Sequence, residues 1–424
     1  MMNSVLKQTA RFALLITVGS LSACASKESQ QINHDVRAKN ASGFESTVLS
    51  ERIKDQNVIR LSKKMLGNEN EPQLISVDFA RGGGLAPIAW TVRLADGRIY
   101  NLSGAPDAAM IEKVFVEDSM NPYRENLFFK GGIVGPLFPL ANRLTGKSKD
   151  GKILTATVMG QTVHMPLNNK AGTKTAIPHH LHGLIFGQTA EMKTDDIKLG
   201  TDSASITGSF NVGPEMWTGK TEVTTTSELL KNGYAFHLKA KNIGTTPVPA
   251  GAGMHPYFAS PDVGADAIRV HVPARALVQI NNLSDVLPTG KIVSMKRSDP
   301  ALDFTNKDGA GLYLKSIKSN TTSSRLDNLW VDLEKDKDGF AYCEVFFPKS
   351  NFKVRMTALT KNIVGIQGYA PNYVEGTKPF VALELVTNLP DPREALWGKT
   401  PTGMKLLKPN EEFEYGYKVE VLAL

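Results

Sequence analysis

The chain has 424 residues, of which 41% are hydrophobic and 21% are charged, and its formal net charge is +7. This composition is that of an ordinary globular protein. The charge is mild for the length, and no basic stripe interleaved with aromatic residues is present, so nucleic acid is not an expected partner. The 36 glycines and 23 prolines favour many turns over long helices, and the first expectation is an all-β protein.

Residues 1–23 have the pattern of an export signal peptide. Lys7 and Arg11 precede an apolar run of about 12 residues. This run is too short to span the hydrocarbon core of a membrane as a helix, which needs ~20 residues. The run ends in LSAC, which resembles the lipobox of bacterial lipoproteins, where the cysteine is lipidated and becomes the first residue after cleavage. The sequence therefore predicts a lipid anchor on Cys24. The alternative is an ordinary signal peptide in which this cysteine is incidental.

The residues after Cys24 predict a tether. Bacterial lipoproteins that stay at the inner membrane carry an aspartate directly after the lipidated cysteine. This chain has Ala25 at that position, so the expected location is the periplasmic face of the outer membrane. Up to residue 43 the sequence is polar and lacks an apolar period, which is typical of a flexible spacer.

Residues 44–424 are expected to form one β domain. Short runs with a two-residue alternation of apolar and polar residues recur from Leu74 onward, and Gly, Pro, Asn or Asp separates most of them. The pattern predicts a sandwich or barrel, with no linker or fixed-period repeat dividing it. Segment 46–66 is compatible with a short helix or a strand pair. The predicted strand runs are 74–80, 88–95, 153–159, 204–212, 221–229, 234–243, 268–274, 342–348, 352–359, 380–387 and 415–424.

A cluster of three histidines lies in IPHHLHGL, residues 177–184. In an extended segment, His180 and His182 would share one face and His179 would lie on the other. The cluster is compatible with a zinc site completed by a carboxylate, with sugar contact, or with a structural role. A metal site needs three or four ligands with supporting partners, and no further ligand pattern is visible nearby, so sugar contact is the favoured interpretation.

Two other polar residues are candidates for substrate contact. Arg143, in GPLFPLANRLTGK, can clamp sugar hydroxyls or a phosphate through its planar fork of donors, or can pair with a surface carboxylate. Asp327 precedes Trp330 by three residues, and an acidic acceptor near a flat aromatic ring suits a pyranose. The alternative for Asp327 is a turn aspartate beside a core tryptophan.

Glu384 and His255 are the candidates for acid–base chemistry. Glu384 lies in the run FVALELV, where its neighbours on both faces of a strand are apolar. Burial of an unpaired carboxylate costs several kcal/mol or raises its pKa, which favours a functional role. His255, in GAGMHPYF, is by itself more typical of a packed core residue than of a catalyst.

Taken in order, these stretches resemble the aldose 1-epimerase (galactose mutarotase) family. The resemblance covers roughly residues 125–424, and residues 44–124 match only loosely. It implies a large antiparallel β-sandwich with the sugar site in an open cleft across one sheet. The matching pieces are GPLFPLANR, LHGLIFG, LKAKNIGTTPVPAGAGMHPYF, LDNLWVDL, PFVALELVTNLPD and LKPNEEFEYGYKVEV.

The resemblance also implies roles for the candidate residues. Glu384 falls at the catalytic base and His255 at the catalytic acid, while His182, Arg143 and Asp327 fall at substrate contacts. The implied activity is the interconversion of α and β anomers of hexoses or small oligosaccharides by acid–base ring opening. The implied partner is a small-molecule sugar, and no metal, nucleotide or redox cofactor is expected.

Two departures leave the substrate open. Leu184 replaces a glycine that commonly follows Leu-His-Gly, and Leu385 and Val386 replace the Pro-Gln that commonly follows the base. Both changes are expected close to the sugar. Alternatives are therefore a non-catalytic glycan-binding protein on the same fold, a sugar-phosphate epimerase with Arg143 as anion contact, and a metal-dependent hydrolase or lyase using the histidine cluster.

Overall fold

The computed structural model describes residues 43–64, 67–68, 70–104, 135–168, 177–213, 215–283, 285–317 and 324–424. They belong to one compact unit, Val36–Leu424. The predicted signal peptide, Cys24 and the predicted spacer up to residue 42 lie outside the described residues. In the part that is described, no helix has the length and apolar character of a membrane span.

Strands and turns make up almost all of the described residues, in agreement with the all-β prediction. Numbered along the chain, the strands are β1 (Phe44–Ile53), β2 (Gln56–Lys63), β3 (Gln73–Ala80), β4 (Ala86–Arg93), β5 (Ile99–Asn101), β6 (Pro136–Leu137), β7 (Arg143–Leu144), β8 (Lys147–Ser148), β9 (Ile153–Val158), β10 (Gln161–Pro166), β11 (His180–Leu181), β12 (Ile197–Leu199), β13 (Ser203–Val212), β14 (Thr221–Leu230), β15 (Gly233–Asn242), β16 (Val248–Ala250), β17 (Gly253–Met254), β18 (Tyr257–Ala259), β19 (Arg269–His271), β20 (Ala274–Ile280), β21 (Pro288–Ser294), β22 (Ala310–Gly311), β23 (Ser324–Leu333), β24 (Tyr342–Phe347), β25 (Phe352–Ala358), β26 (Gly365–Pro371), β27 (Phe380–Val386), β28 (Lys405–Leu407) and β29 (Glu412–Ala423).

Helical structure is limited to single turns in the described ranges. The helices are α1 (Glu394–Trp397) and the 3-10 helices Thr194–Asp196, Met295–Arg297, Pro300–Leu302 and Pro348–Ser350.

The N-terminal strands form a five-stranded antiparallel sheet in chain order, β1 to β5. The described part of segment 46–66 is thus a strand pair, β1 with β2. Lys54 and Asp55 make its turn with φ of 50° and 60°, which are the left-handed conformations that match the twist of a tight hairpin.

Two large antiparallel sheets carry most of the remaining chain. One has nine strands in the order β12-β13-β14-β15-β29-β25-β24-β19-β22. The other has eight strands, seven in the order β21-β20-β23-β26-β27-β17-β6, with β18 also paired to β27. In β13 to β15, buried residues alternate with exposed or half-buried ones, so one face of this sheet packs on the core. Smaller sheets join β7 to β11, β8 to β10 through β9, and β16 to β28.

The core lies where the three larger sheets meet. Trp90 of β4 is 1% exposed, and its ring lies 5.3 Å from that of Tyr234 of β15 and 5.9 Å from that of Phe258 of β18. One indole therefore joins side chains of all three sheets, and large aromatic side chains dominate the energetics of such cores. This packing confirms the predicted β-sandwich.

Candidate active site

Three adjacent strands of the eight-stranded sheet present polar side chains on one face. Glu384 lies in β27, and its Cα partner on β26 is Gln367. Asp327 lies in β23 opposite Tyr369, which follows Gln367 by two residues. Because residues two apart in a strand point to the same side, Asp327, Gln367 and Glu384 share one face. They are buried, with exposed fractions of 7%, 3% and 1%.

A break between two short strands brings His255 to Glu384. β17 ends at Met254 and β18 begins at Tyr257, and both strands pair with β27. Pro256 has no N–H to give to a strand ladder, so the chain leaves the sheet here and returns at once. Nε2 of His255 lies 3.1 Å from Oε1 of Glu384. The two side chains predicted to be catalytic are therefore within hydrogen-bond distance of each other.

A sharp turn of the backbone aims His182 at the same place. His182 and Gly183 have φ of 71° and 67°, and a Cβ atom at Gly183 would lie 2.5 Å from the carbonyl oxygen of Phe138. The N–H of His182 donates to the carbonyl oxygen of Asn142 at 2.9 Å. Its ring meets that of His255 edge to face, with centroids 5.2 Å apart.

The other two histidines of the cluster contact the main chain. Nδ1 of His179 lies 2.8 Å from the carbonyl oxygen of Ile177, and Nδ1 of His180 lies 2.9 Å from that of Pro166. Because β11 stops before His182, the expected common face of His180 and His182 is not formed. Among the described residues, no three His, Cys, Asp or Glu side chains converge as metal ligands. The geometry of His179 and His180 favours a structural role.

Arg143 and Asp327 belong to a closed ring of hydrogen bonds between four side chains. Nη2 of Arg143 donates to Oδ2 of Asp327 at 2.8 Å, and Nε2 of Gln367 donates to Oδ1 of Asp327 at 2.6 Å. Nδ2 of Asn142 donates to Oε1 of Gln367 at 2.8 Å. Nη1 of Arg143 closes the ring by donating to Oδ1 of Asn142 at 2.9 Å. The ring fixes the Asp327 carboxylate beside the strand pair that carries Glu384.

Two buried polar atoms of Glu384 and Arg143 bear on ligand binding. Within the described residues, Oε2 of Glu384 and Nε of Arg143 have no hydrogen-bond partner. Buried polar groups in native proteins are nearly always paired, and each exception needs an explanation. Hydroxyl groups of a bound sugar can both donate and accept, and would satisfy both atoms.

Burial dominates the electrostatics of the site. It raises the pKa of Glu384 well above its ordinary value, helped by the negative charge of Asp327 and opposed by Arg143. It lowers the pKa of His255 to about 3, with a smaller contribution from Arg143. Burial also raises the pKa of Asp327 and lowers that of His182. Burial therefore favours the neutral form of the predicted catalytic pair, with the proton on the carboxyl group, over the form in which both groups are charged.

The aromatic surface of the site differs from the one that the sequence predicted. In β23, Trp330 is three residues from Asp327 and points to the opposite face, where it lies in the main core with an exposed fraction of 1%. The pairing of Asp327 with Trp330 around a sugar was thus a wrong prediction. Of the alternative, the core tryptophan is confirmed, whereas Asp327 lies within a strand and not in a turn. Tyr257 lies beside the pair instead, with its ring 4.7 Å from that of His255.

Two of the three residues that depart from the family pattern lie in the main core. Leu184 and Leu385 are both buried in the main apolar cluster, and Leu385 points to the face opposite Glu384 because it is the next residue in the strand. Val386 shares the face of Glu384 but belongs to a separate apolar cluster. Leu184 and Leu385 therefore give no basis for inferring an altered sugar.

Gln367 and Asn142 complete the ring and are not among the residues that the sequence predicts for the site. Gln367 lies in the buried strand segment GIQGYA, so a polar residue in an apolar strand was the available signal. Asn142 directly precedes Arg143 and has φ of 66°, a conformation that asparagine tolerates better than most residues.

Comparison with known proteins gives a family match and several fold matches. The family model described as aldose 1-epimerase matches residues 117–417. No curated protein matches the sequence significantly.

Solved structures of similar fold share little sequence with this chain. A galactose mutarotase-like protein from Clostridium acetobutylicum has 16% identity and a TM-score of 0.63, with 90% of this chain and 99% of that chain covered. An aldose epimerase homologue from C. elegans has 16% identity and a TM-score of 0.59, with 91% and 100% covered. A galactose 1-epimerase from Lactobacillus acidophilus has 14% identity and a TM-score of 0.57, with 90% and 99% covered. At these identities the likeness establishes the fold.

Proposed function

Because the chain belongs to the aldose 1-epimerase family, we propose that it interconverts the α and β anomers of hexoses or small oligosaccharides through Glu384 and His255. The observation that carries this proposal is the buried contact of 3.1 Å between the carboxyl and imidazole groups. The ring of Asn142, Arg143, Asp327 and Gln367 adjoins this pair through Gln367, which is the strand partner of Glu384.

In the proposed reaction the sugar ring opens and closes by proton transfer. Ionised Glu384 takes the proton of the C1 hydroxyl while protonated His255 gives a proton to the ring oxygen, and the bond between C1 and that oxygen breaks. Rotation about the bond between C1 and C2 turns the aldehyde, and the two groups then act in reverse. General acid–base help of this kind is worth about 100- to 10,000-fold for each positioned group.

The electrostatics suit this cycle. The ionised pair and the neutral pair differ only in which side chain holds one proton, so no proton has to come from solvent. Burial favours the neutral pair, because it raises the pKa of Glu384 and lowers that of His255. The neutral pair is the state that accompanies the open-chain aldehyde. The desolvated site therefore stabilises the enzyme form that belongs to the intermediate.

Substrate contact is proposed for Arg143, Asp327 and His182. Asp327 accepts two hydrogen bonds from protein donors, and its remaining lone pairs can accept from sugar hydroxyls. Nε of Arg143 is buried without a partner among the described residues, and it can donate to a sugar oxygen. These fixed groups would hold the sugar against the catalytic pair.

The purified protein is expected to accelerate the anomerisation of freshly dissolved α-glucose and α-galactose, followed by polarimetry or NMR. His255→Ala should reduce the acceleration by about 100- to 10,000-fold, because it removes the group that protonates the ring oxygen. If the protein binds these sugars without accelerating their anomerisation, the non-catalytic glycan-binding alternative replaces this proposal.

Export and anchoring are a second part of the proposal. The pattern of residues 1–23 and the lipobox ending at Cys24 support a lipoprotein on the periplasmic face of the outer membrane, tethered by the polar residues that follow. Two fatty-acid chains or more give stable membrane anchoring.

In a bacterial host with an outer membrane, the protein is expected to sediment with the membranes and to incorporate a labelled fatty acid. Cys24→Ala should abolish the label, because the acylated thiol is gone. Cys343→Ala is the matched control, since Cys343 is a free cysteine buried in the core and should not affect the label. Retention of the label in Cys24→Ala would contradict the anchor.

A further inference from the structure

A row of aromatic side chains leads from the catalytic pair toward solvent. The ring of His255 packs on that of Tyr257 at 4.7 Å, and Tyr257 lies 5.7 Å from Phe380. The hydroxyl of Tyr313 donates to the carbonyl oxygen of Phe380 at 3.4 Å. The rings of Tyr313 and Tyr373 are 5.5 Å apart. Tyr257 is buried, whereas Phe380, Tyr313 and Tyr373 are half-buried.

This aromatic row is continuous with the face of the sheet that carries Glu384. Phe380 and Glu384 are four residues apart in β27, so their side chains point to the same side. Beyond the tyrosine pair, Leu314 and Val374 are 61% and 64% exposed. Exposed apolar side chains that follow the tyrosines in sequence extend the apolar surface at this end of the row.

A buried arginine lies beside the tyrosine pair. Arg325 is 6% exposed, and its Nε and Nη2 donate to the carbonyl oxygens of Leu312 and Ala301 at 2.9 and 3.3 Å. Its Nη1 has no hydrogen-bond partner among the described residues. Leu312 directly precedes Tyr313, so the guanidinium group lies beside the backbone that leads into Tyr313. A buried donor that lacks an acceptor is costly, and a ligand oxygen would remove that cost.

We propose that Tyr313, Tyr373 and Arg325 form a distal subsite for the second and third rings of a reducing oligosaccharide, whose terminal unit occupies the catalytic pair. This inference rests on the proposed function. Sugar rings have apolar C–H faces that pack on aromatic rings, and hydroxyl rims that need donors and acceptors. Two adjacent tyrosine rings with an unsatisfied guanidinium N–H offer both kinds of contact.

The test compares anomerisation of glucose with that of maltotriose and cellotriose, measured for the whole protein by exchange NMR between the anomeric signals. We expect kcat/KM to be about tenfold higher for at least one trisaccharide than for glucose. Tyr313→Ala and Tyr373→Ala should each reduce this ratio about tenfold, because each removes a ring from the subsite. Ile292→Ala is the control, since Ile292 is an exposed apolar residue on edge strand β21 and should leave the ratio unchanged.

The outcomes separate the two proposals. If glucose is turned over but neither trisaccharide is preferred, or if the tyrosine variants keep the parental ratio, the subsite is refuted and the proposed function stands. If no sugar is turned over, the proposed function fails, and calorimetric titration with the same trisaccharides decides the subsite. Binding that Tyr313→Ala weakens about tenfold would then support it, and absence of binding or unchanged affinity would overturn it.

Discussion

Glu384→Gln is expected to lose about 100- to 10,000-fold of the rate acceleration and to melt at a higher temperature than the parent. The rate falls because an amide cannot take the C1 proton. The melting temperature rises because the carboxyl group is 1% exposed and its Oε2 has no partner among the described residues. Polarimetry and thermal unfolding measure the two effects. Stability gained by removing a destabilising functional group is a recurrent trade-off in enzymes.

The gain in melting temperature should increase with pH. Burial raises the pKa of Glu384 in the folded state, whereas the unfolded chain titrates near ~4.3. Between these two pKa values the folded state binds a proton that the unfolded state does not, so the parent's free energy of unfolding falls as pH rises. The amide of the Glu384→Gln variant does not titrate, and His255 is present in both proteins. The difference should therefore be larger at about pH 8 than at about pH 5.

A second buried carboxylate provides the control. Glu344 is 5% exposed, but Lys353 and Arg355 lie 2.9 and 3.5 Å from its Oε1. Glu344→Gln removes a paired charge, so it should lower the melting temperature and leave the anomerisation rate at the parental value. A Glu384→Gln protein that melts below the parent at both pH values would contradict the account of a desolvated carboxyl group with an unsatisfied oxygen.

Arg143→Met is expected to destabilise the protein by roughly 3–5 kcal/mol, as removal of one partner of a buried ion pair does. The variant leaves the buried Asp327 carboxylate without its positive partner and opens the hydrogen-bond ring at two of its four bonds. Protonation of Asp327 would recover part of the loss, because burial already raises the pKa of this group. Denaturant unfolding at neutral pH measures the difference.

Two further proteins make this prediction specific. The double variant Arg143→Met/Asp327→Asn should be more stable than Arg143→Met alone, since the charge that lost its partner is also gone. Lys231→Met breaks the exposed ion pair with Asp202, whose side chains are 64% and 75% exposed, and should change stability little. A double variant no more stable than the single one would show that the loss comes from packing.

Most strands could be predicted because apolar and polar residues alternate strictly along the half-buried strands of a sandwich. Each predicted run overlaps a strand, and β13, β14 and β15 begin and end within a residue or two of the predicted limits. Run 268–274 was predicted as one strand, whereas the structure has two. It is divided between β19 and β20 at Pro273, which cannot donate to a ladder. The sequence does not decide between a helix and a strand pair for segment 46–66, because strand β1 is largely exposed and so lacks a clear apolar period.

Site residues could be predicted where a charged side chain lies in an otherwise apolar strand sequence. A carboxylate such as Glu384 in an apolar strand indicates a functional site because its burial costs several kcal/mol. An amide such as Gln367 costs less free energy to bury and is therefore a weaker indication. Which residues face each other across strands depends on register, which the sequence does not state. Proximity in the sequence therefore suggests Trp330 as the neighbour of Asp327, whereas its partners in the structure are Arg143 and Gln367.

Assembly of the candidate site requires elements spread over residues 143–384. Arg143, His182, His255, Asp327 and Glu384 come from separate elements between β7 and β27, so their contacts are all distant in sequence. Such non-local pairings form late and slowly in folding. The desolvation that perturbs Glu384 and His255 arises only when these elements have closed around them. The proposed site is thus expected to form late in folding, and a chain with any of these elements unpaired would carry ordinary, solvated acid and base groups.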